Sequence, residues 1–275
     1  MPVQNIPLQS RLPKTYRILE TKRETDMVQT FTFDGSLGAL PGQFVMLWLP
    51  GVDEIPMSVA FDDGKHLRVT FFAVGDMTKE LAKCKKGDLI GLRGPFGTHY
   101  TWKKKQHLML VAGGYGAAPM YFAAHEALKD GCTLDIIVGA RSKDHLLYIE
   151  ELSALPRTTL HIATDDGSEG HAGYNVEVLA QFLTTHHSPS TIILACGPER
   201  MLLAVSDLAH AHAVPAQLSF ERYMKCGYGL CGNCTVDPSG IRLCVEGPVL
   251  DNATVRSTTE FGQYHRDALG RKQSF

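Results

Sequence analysis

Neither sign of charge is in excess in this chain: 27 Lys and Arg stand against 29 Asp and Glu over 275 residues, a formal net charge of −2. With a pI near 6.6, that balance implies no basic surface of the kind that draws nucleic acid or anionic lipid. No run of about eighteen apolar residues occurs, so no membrane-crossing helix is expected. Met1-Pro2-Val3-Gln4-Asn5 has no basic segment leading into an apolar one, and a cytoplasmic protein is the expectation. The sequence holds no internal repeat and no low-complexity tract. It has no G-x-S-x-G nucleophile elbow, and spacing singles out no Ser, His and Asp set. The 12 His form no metal-ligand constellation. His186 and His187 fall in a polar loop, while His210 and His212 end a helix whose dipole favours a cation there. A hydrophobic content of 44% is ordinary globular material, enough for two compact domains and a small appendage.

Patterned cysteine is what the chain does have. In a reducing compartment its seven Cys read as metal ligands or free thiols rather than as a disulfide framework. Cys226, Cys231 and Cys234 form C-x4-C-x2-C, and Cys244 follows after nine intervening residues, the plant-type ligand spacing of a 2Fe-2S cluster. Gly227, Gly229 and Gly232 lie between the ligands, where a loop wraps its backbone N–H groups around sulfide without Cβ clashes. A zinc site usually pairs its thiolates as two C-x2-C hooks, whereas here one hook stands between two lone cysteines. Cys84, Cys132 and Cys196 remain outside the pattern.

From about residue 16 to 93 the chain alternates short β-branched or aromatic runs with Gly and Pro: 16–21, 27–33, 43–49, 66–73 and 89–93. That spacing predicts a small antiparallel barrel, capped by a helix over 77–84. After the polar hinge Trp102-Lys103-Lys104-Lys105 the rhythm changes. Strands at 108–112, 134–139, 160–163 and 192–195 alternate with helices at 117–129, 147–155, 176–183 and 199–212. Four βα units predict a doubly wound parallel sheet with ligands at the carboxyl ends of its strands. The fold class is therefore β plus α/β in several domains: a barrel at 1–104, the sheet at 105–215, and a small cluster unit with a tail at 216–275. The polar stretch 256–275 reads as a surface tail or a strap onto a partner.

Gly113-Gly114-Tyr115-Gly116-Ala117-Ala118-Pro119 follows the first sheet strand and opens a helix, which suits it to a pyrophosphate, although the third glycine of G-x-G-x-x-G is missing. The last strand ends in Cys196-Gly197-Pro198. Its thiol is either a small buried hydrophobe or a soft group beside a flat reacting ring. Asp165 and Asp166 either accept from the ribose hydroxyls of NAD and repel the extra phosphate of NADP, or form a solvated turn. Arg141 and Lys143 pull the other way as phosphate contacts. In the barrel, Pro56-Met57-Ser58-Val59 and Gly75-Asp76-Met77-Thr78 bracket the places where a flavin can lie.

Taken in that order, the motifs resemble the electron-transfer subunits of NAD-dependent dihydroorotate dehydrogenase, a family within the ferredoxin–NADP reductase superfamily. The resemblance spans about residues 14 to 250 and is most specific from Glu221-Arg222-Tyr223-Met224-Lys225-Cys226-Gly227 through Cys244 to Gly247-Pro248-Val249. It implies FAD in the barrel, NAD over the flavin, and the 2Fe-2S centre toward a partner. In that scheme Pro56, Met57, Ser58 and Val59 lie at the flavin ring, and Gly75, Met77 and Thr78 at its phosphates. Gly113, Gly114, Gly116, Asp165 and Asp166 serve the dinucleotide, with Cys196, Gly197 and Pro198 beside the nicotinamide. Ser58 and Cys196 are then nearest the hydride transfer. The implied partner is a catalytic, FMN-containing subunit that oxidises dihydroorotate to orotate in pyrimidine biosynthesis. One position departs from the superfamily: Ile55 stands where an Arg commonly neutralises a flavin phosphate. Hydrogenase and anaerobic sulfite reductase subunits share much of the signature, and a redox sensor that only binds nucleotide is the alternative of another class.

Overall fold

The protein is described here by a computed structural model covering residues 12–185 and 190–274; His186 and His187 lie outside the described residues. Strands β1 (Lys14–Arg23), β2 (Val28–Asp34), β3 (Phe44–Leu49), β4 (Asp53–Asp62), β5 (His66–Phe72) and β6 (Leu89–Phe96) close into a barrel. Its order is β1-β2-β5-β4-β3-β6, every pair is antiparallel, and β6 returns to β1. β5 shows why: Leu67, Val69 and Phe71 are buried at every second position, so one face of the pleat fills the interior. Helix α1 (Asp76–Leu81) plugs the barrel with Met77 and Leu81, and it ends earlier than the sequence suggests. The barrel strand that periodicity misses is β4. Pro56 and Ser58 interrupt its apolar pattern because its first half faces a cavity and only Val59 to Asp62 is fully buried.

Beyond the barrel, β7 (His107–Gly113), α2 (Ala117–Lys129), β8 (Thr133–Ala140), α3 (Ile149–Ser153), β9 (Thr158–Thr164), β10 (His171–Ala172), α4 (Asn175–Thr185), β11 (Ile192–Cys196), α5 (Glu199–Ala211) and β12 (Ala216–Ser219) follow in turn. The sheet order β10-β9-β8-β7-β11-β12 grows first to one side of β7 and then to the other. The switch point therefore lies between the carboxyl ends of β7 and β11, at Gly113 and Cys196, where the topology of an open α/β sheet leaves a crevice for ligand. The barrel is tied to this sheet by the Tyr100 hydroxyl, which donates to the Ala195 carbonyl at 2.8 Å, and by the Tyr148 hydroxyl at 2.8 Å from Thr70 Oγ1.

The remainder comprises β13 (Thr235–Val236), β14 (Ile241–Arg242), α6 (Leu243–Glu246), β15 (Val249–Asp251), α7 (Asn252–Arg256) and a hairpin of β16 (Tyr264–Arg266) with β17 (Lys272–Ser274). β15 pairs antiparallel with β12 and becomes the seventh strand of the sheet. The polar stretch after 256 is not a free tail. Thr258, Glu260 and Phe261 are buried, and Glu260 is 0% exposed because Arg222 meets it. Residue periodicity carries no trace of such a long-range ion pair, which is why the segment reads as a tail in sequence.

Candidate functional site

The cysteine loop hangs between β12 and α6. Gly227, Gly229 and Gly232 take φ of 78°, 80° and 72°, the left-handed turn that aims successive N–H groups inward. Leu230 N and Cys231 N donate to Cys226 Sγ at 3.3 and 3.5 Å, Gly229 N to Cys244 Sγ at 3.1 Å, and Cys244 N to Cys234 Sγ at 3.4 Å. The four thiols stand as two pairs, Cys226 with Cys231 and Cys234 with Cys244, each in side-chain contact. Among the described residues no three metal-ligating side chains gather around one point. Two thiol pairs fit a two-iron centre, one pair per iron. Burial pushes the Cys226 thiol up, and backbone N–H groups of Cys231, Tyr228 and Leu230 outweigh it and bring it down to about 7. Cys234 is drawn down to about 7 by its hydrogen bond with Cys244, whose own thiol is raised by that bond and by burial. In Cys226 and Cys234 the environment thus favours the thiolate, the form that iron ligation requires.

Beside the loop lies a cavity of ≈ 540 Å³ between barrel and sheet, lined among others by Pro56, Met57, Ser58, Thr78, Tyr115 and Met224. A larger cavity of ≈ 880 Å³ shares Pro56, Tyr115, Glu221, Arg222 and Met224 with it and adds Ile55 and Gly197. A third, of ≈ 500 Å³ at the carboxyl edge of the sheet, is lined by Gly113, Gly114, Arg141, Asp165, Pro198 and Arg200 among others. Val59 and Met77, by contrast, point into the barrel core. The Thr78 hydroxyl is already engaged, accepting from Gly75 N at 3.0 Å and donating to Gly75 O at 3.0 Å. Asp166 turns away to accept from Ser168 N and Oγ at 3.0 and 2.6 Å, bonds that hold its carboxyl below the usual range, so Asp165 alone of the two lines the third cavity.

At the switch point the two loops touch. A Cβ on Gly116 would sit 2.0 Å from the Cys196 carbonyl oxygen, so only glycine lets the start of α2 come this close to the end of β11. Cys196 is 1% exposed, and burial pushes its thiol up, with the Glu221 carboxylate adding to the shift. It is held as a neutral thiol. Sequence reasoning assigned no role to Glu221. Its carboxylate faces both larger cavities, and although open to them it is desolvated by the surrounding protein, which pushes it up to about 7; the Tyr115 hydroxyl donates to it at 3.2 Å. Its place in the stretch that carries the family resemblance is its only signal in sequence.

Comparison with known proteins agrees with this geometry. Residues 110–207 match the oxidoreductase NAD-binding domain family, and residues 221–256 match the iron-sulfur cluster binding domain of dihydroorotate dehydrogenase B. A curated protein of Methanocaldococcus jannaschii, described as a probable dihydroorotate dehydrogenase B (NAD(+)), electron transfer subunit, is 42% identical over 260 residues, covering 94% of this chain and 98% of its own length. The chain belongs to that family of electron-transfer subunits. A member from Methanothermobacter thermautotrophicus, described in the same words, is 40% identical over 93% of this chain and 96% of its own. Among solved structures, the NADH-dependent reduced ferredoxin-NADP oxidoreductase, described in connection with flavin-based electron bifurcation, superposes with a TM-score of 0.78. It is 28% identical over 86% of this chain and 88% of that one. The cytochrome b5 reductase domain of Ulva prolifera nitrate reductase shares the fold at a TM-score of 0.63 and 20% identity, covering 78% of this chain and 96% of that one. The barrel-and-sheet architecture and the cluster domain of the family are thus both present.

Proposed function

We propose that this subunit passes electrons between a catalytic, FMN-containing dihydroorotate dehydrogenase subunit and NAD, in the cytoplasm. The observation that carries the reading is continuity. Met224 lines the cavity between barrel and sheet and stands two residues before Cys226, while Tyr115 and Gly197 join that cavity to the nucleotide edge of the sheet. When bound, a 2Fe-2S centre moves electrons singly, and FAD collects two for hydride exchange with NAD.

In this reading Cys226, Cys231, Cys234 and Cys244 ligate the cluster. Pro56, Met57 and Ser58 lie along the flavin ring, Val59 and Met77 hold that wall from behind, and Gly75 and Thr78 shape its phosphate end. Gly113, Gly114 and Gly116 admit the dinucleotide backbone to the start of α2, and Cys196, Gly197 and Pro198 border the nicotinamide with no ionised thiol to compete for its charge. The units at 1–104, 105–215 and 216–275 then divide flavin, nucleotide and cluster among themselves, although the third lends β12 and β15 to the second. The isolated subunit is expected to reduce dyes with NADH and to leave dihydroorotate untouched, with dihydroorotate-dependent NAD reduction appearing only when the co-purified partner is present. Oxidation of dihydroorotate by the subunit alone, or co-purification with a hydrogenase or sulfite reductase, would overturn the assignment.

Asp165 favours NAD. A carboxylate facing a 2′-phosphate opposes NADP by roughly 1–3 kcal/mol, so dye reduction with NADH should exceed that with NADPH by about five- to 150-fold in kcat/KM. Asp165→Asn narrows the gap. Equal efficiency in the parent protein would mean that Arg141 and Arg200, on the same cavity wall, outweigh the aspartate.

A further inference from the structure

Arg93 sits on β6, a barrel strand 133 residues from Cys226, yet its Nη1 donates to the Cys226 carbonyl oxygen at 2.6 Å. Its Nε and Nη2 donate to the two carboxylate oxygens of Glu54 on β4. The guanidinium also lies 5.5 Å from the Phe96 ring centroid and 5.6 Å from that of Tyr228, inside the cysteine loop. The Arg93 side chain is 6% exposed and Glu54 23%. A second cation reaches the loop, Arg242, whose Nη1 donates to the Gly229 carbonyl at 3.3 Å, but its side chain is 40% exposed. Solvent and salt screen that charge far more than the buried one.

Nothing in barrel packing asks for this arrangement. A barrel strand that ends against a neighbouring loop is served by an apolar side chain, and a buried ion pair is weak evidence for stability. What the pair does is present the positive end of a fixed dipole to the backbone of a cluster ligand, with the negative end held on the far side. Reduction of a 2Fe-2S centre adds one electron and so one unit of negative charge at the loop. A buried cation there favours the reduced form, and a buried anion opposes it.

From this geometry we infer that Arg93, opposed by Glu54, is a positioning residue that holds the Cys226 backbone and sets the reduction potential of the centre. The inference rests on the reading of the four cysteines as cluster ligands. It requires shifts of opposite sign: Arg93→Gln lowers the potential by leaving Glu54 unopposed, and Glu54→Gln raises it by leaving Arg93 unopposed. Each is expected to change the reduction equilibrium about tenfold, ~59 mV for a one-electron couple. Arg93→Lys, which keeps the charge and loses the fork, stays nearer the parent.

The measurement is a redox titration followed by electron paramagnetic resonance on the iron-loaded protein, with iron and sulfide assayed in every sample. Opposite shifts support the inference. Fully loaded variants that titrate with the parent, or that both shift the same way, overturn it, since a merely structural contact predicts no sign. If Arg93→Gln does not hold iron, Glu54→Gln decides alone, and an unchanged or lowered potential sinks the idea. A parent protein without iron and sulfide removes the cluster reading and the inference together, an outcome distinct from loaded variants with unmoved potentials.

Discussion

Cys234→Ala is expected to abolish the iron-sulfur centre and all electron exchange with the partner, while NADH-driven dye reduction continues. Cys234 is 2% exposed and sits in the core with Met224, Leu243 and Cys244, so no water or neighbouring carboxylate is at hand to replace the lost ligand. Deleting it also leaves Cys244 N without the sulfur it donates to at 3.4 Å. One Sγ in a buried site is a modest loss to packing, about 1 kcal/mol or less for so small a group. The cavity walls at 56–58, at 113–115 and at 197–198 belong to other elements and stay in place. Visible absorption with iron and sulfide assays reports the first effect, and steady-state kinetics with a dye and with the partner report the second. Unchanged iron content in the variant, or zinc without sulfide in the anaerobically prepared parent, would count against the ligand assignment.

That site was legible in sequence because its ligands are local: three of the four cysteines and three glycines fall within nine residues, and chemistry at short range leaves a spacing. The sheet was legible for a related reason, since each βα unit repeats one apolar run and one helical period. Periodicity yields the barrel one strand short. β4 carries Pro56 and Ser58 where alternation would place apolar residues, and the interruption marks the wall of the cavity rather than the end of the strand. β12 and β15 were missed because strands of four and three residues cannot establish a period. Glu221 was seen only as a letter in the stretch that carries the family resemblance. Nothing in its sequence neighbours announces that protein packed around it will desolvate a carboxylate that faces two cavities. Arg93 was invisible altogether, since its partners Glu54 and Cys226 lie 39 and 133 residues away. Local propensity reports local structure; charge placement is decided by tertiary contacts.

The same lesson gives the largest expected effect on stability. Arg222 joins three segments that the sequence keeps apart: its Nη1 donates to Glu199 Oε2 at 2.6 Å at the start of α5, its Nε to Glu260 Oε2 at 3.1 Å, and its Nη2 to the Tyr264 carbonyl at 3.1 Å. Its side chain is 2% exposed, that of Glu199 10% and that of Glu260 0%. Arg222→Met keeps most of the volume and leaves two carboxylates facing a site without its cation. Arg266, at 3.5 Å from Glu260 Oε1, is the nearest remaining compensation and reaches only one of them. Stranding buried charge in this way costs about 3–5 kcal/mol, so the urea midpoint falls while the slope holds in protein compared at equal cofactor content. The segment after 256 should loosen first, because Glu260 and Tyr264 are its anchors, and proteolysis there reports it. A triple variant that adds Glu199→Gln and Glu260→Gln removes the stranded charges and should recover most of the loss, since a neutral buried site does not carry the desolvation penalty. If Arg222→Met were as stable as the parent, or the triple variant no better than the single one, charge neutralisation would not be what holds the C-terminal segment over the cluster unit.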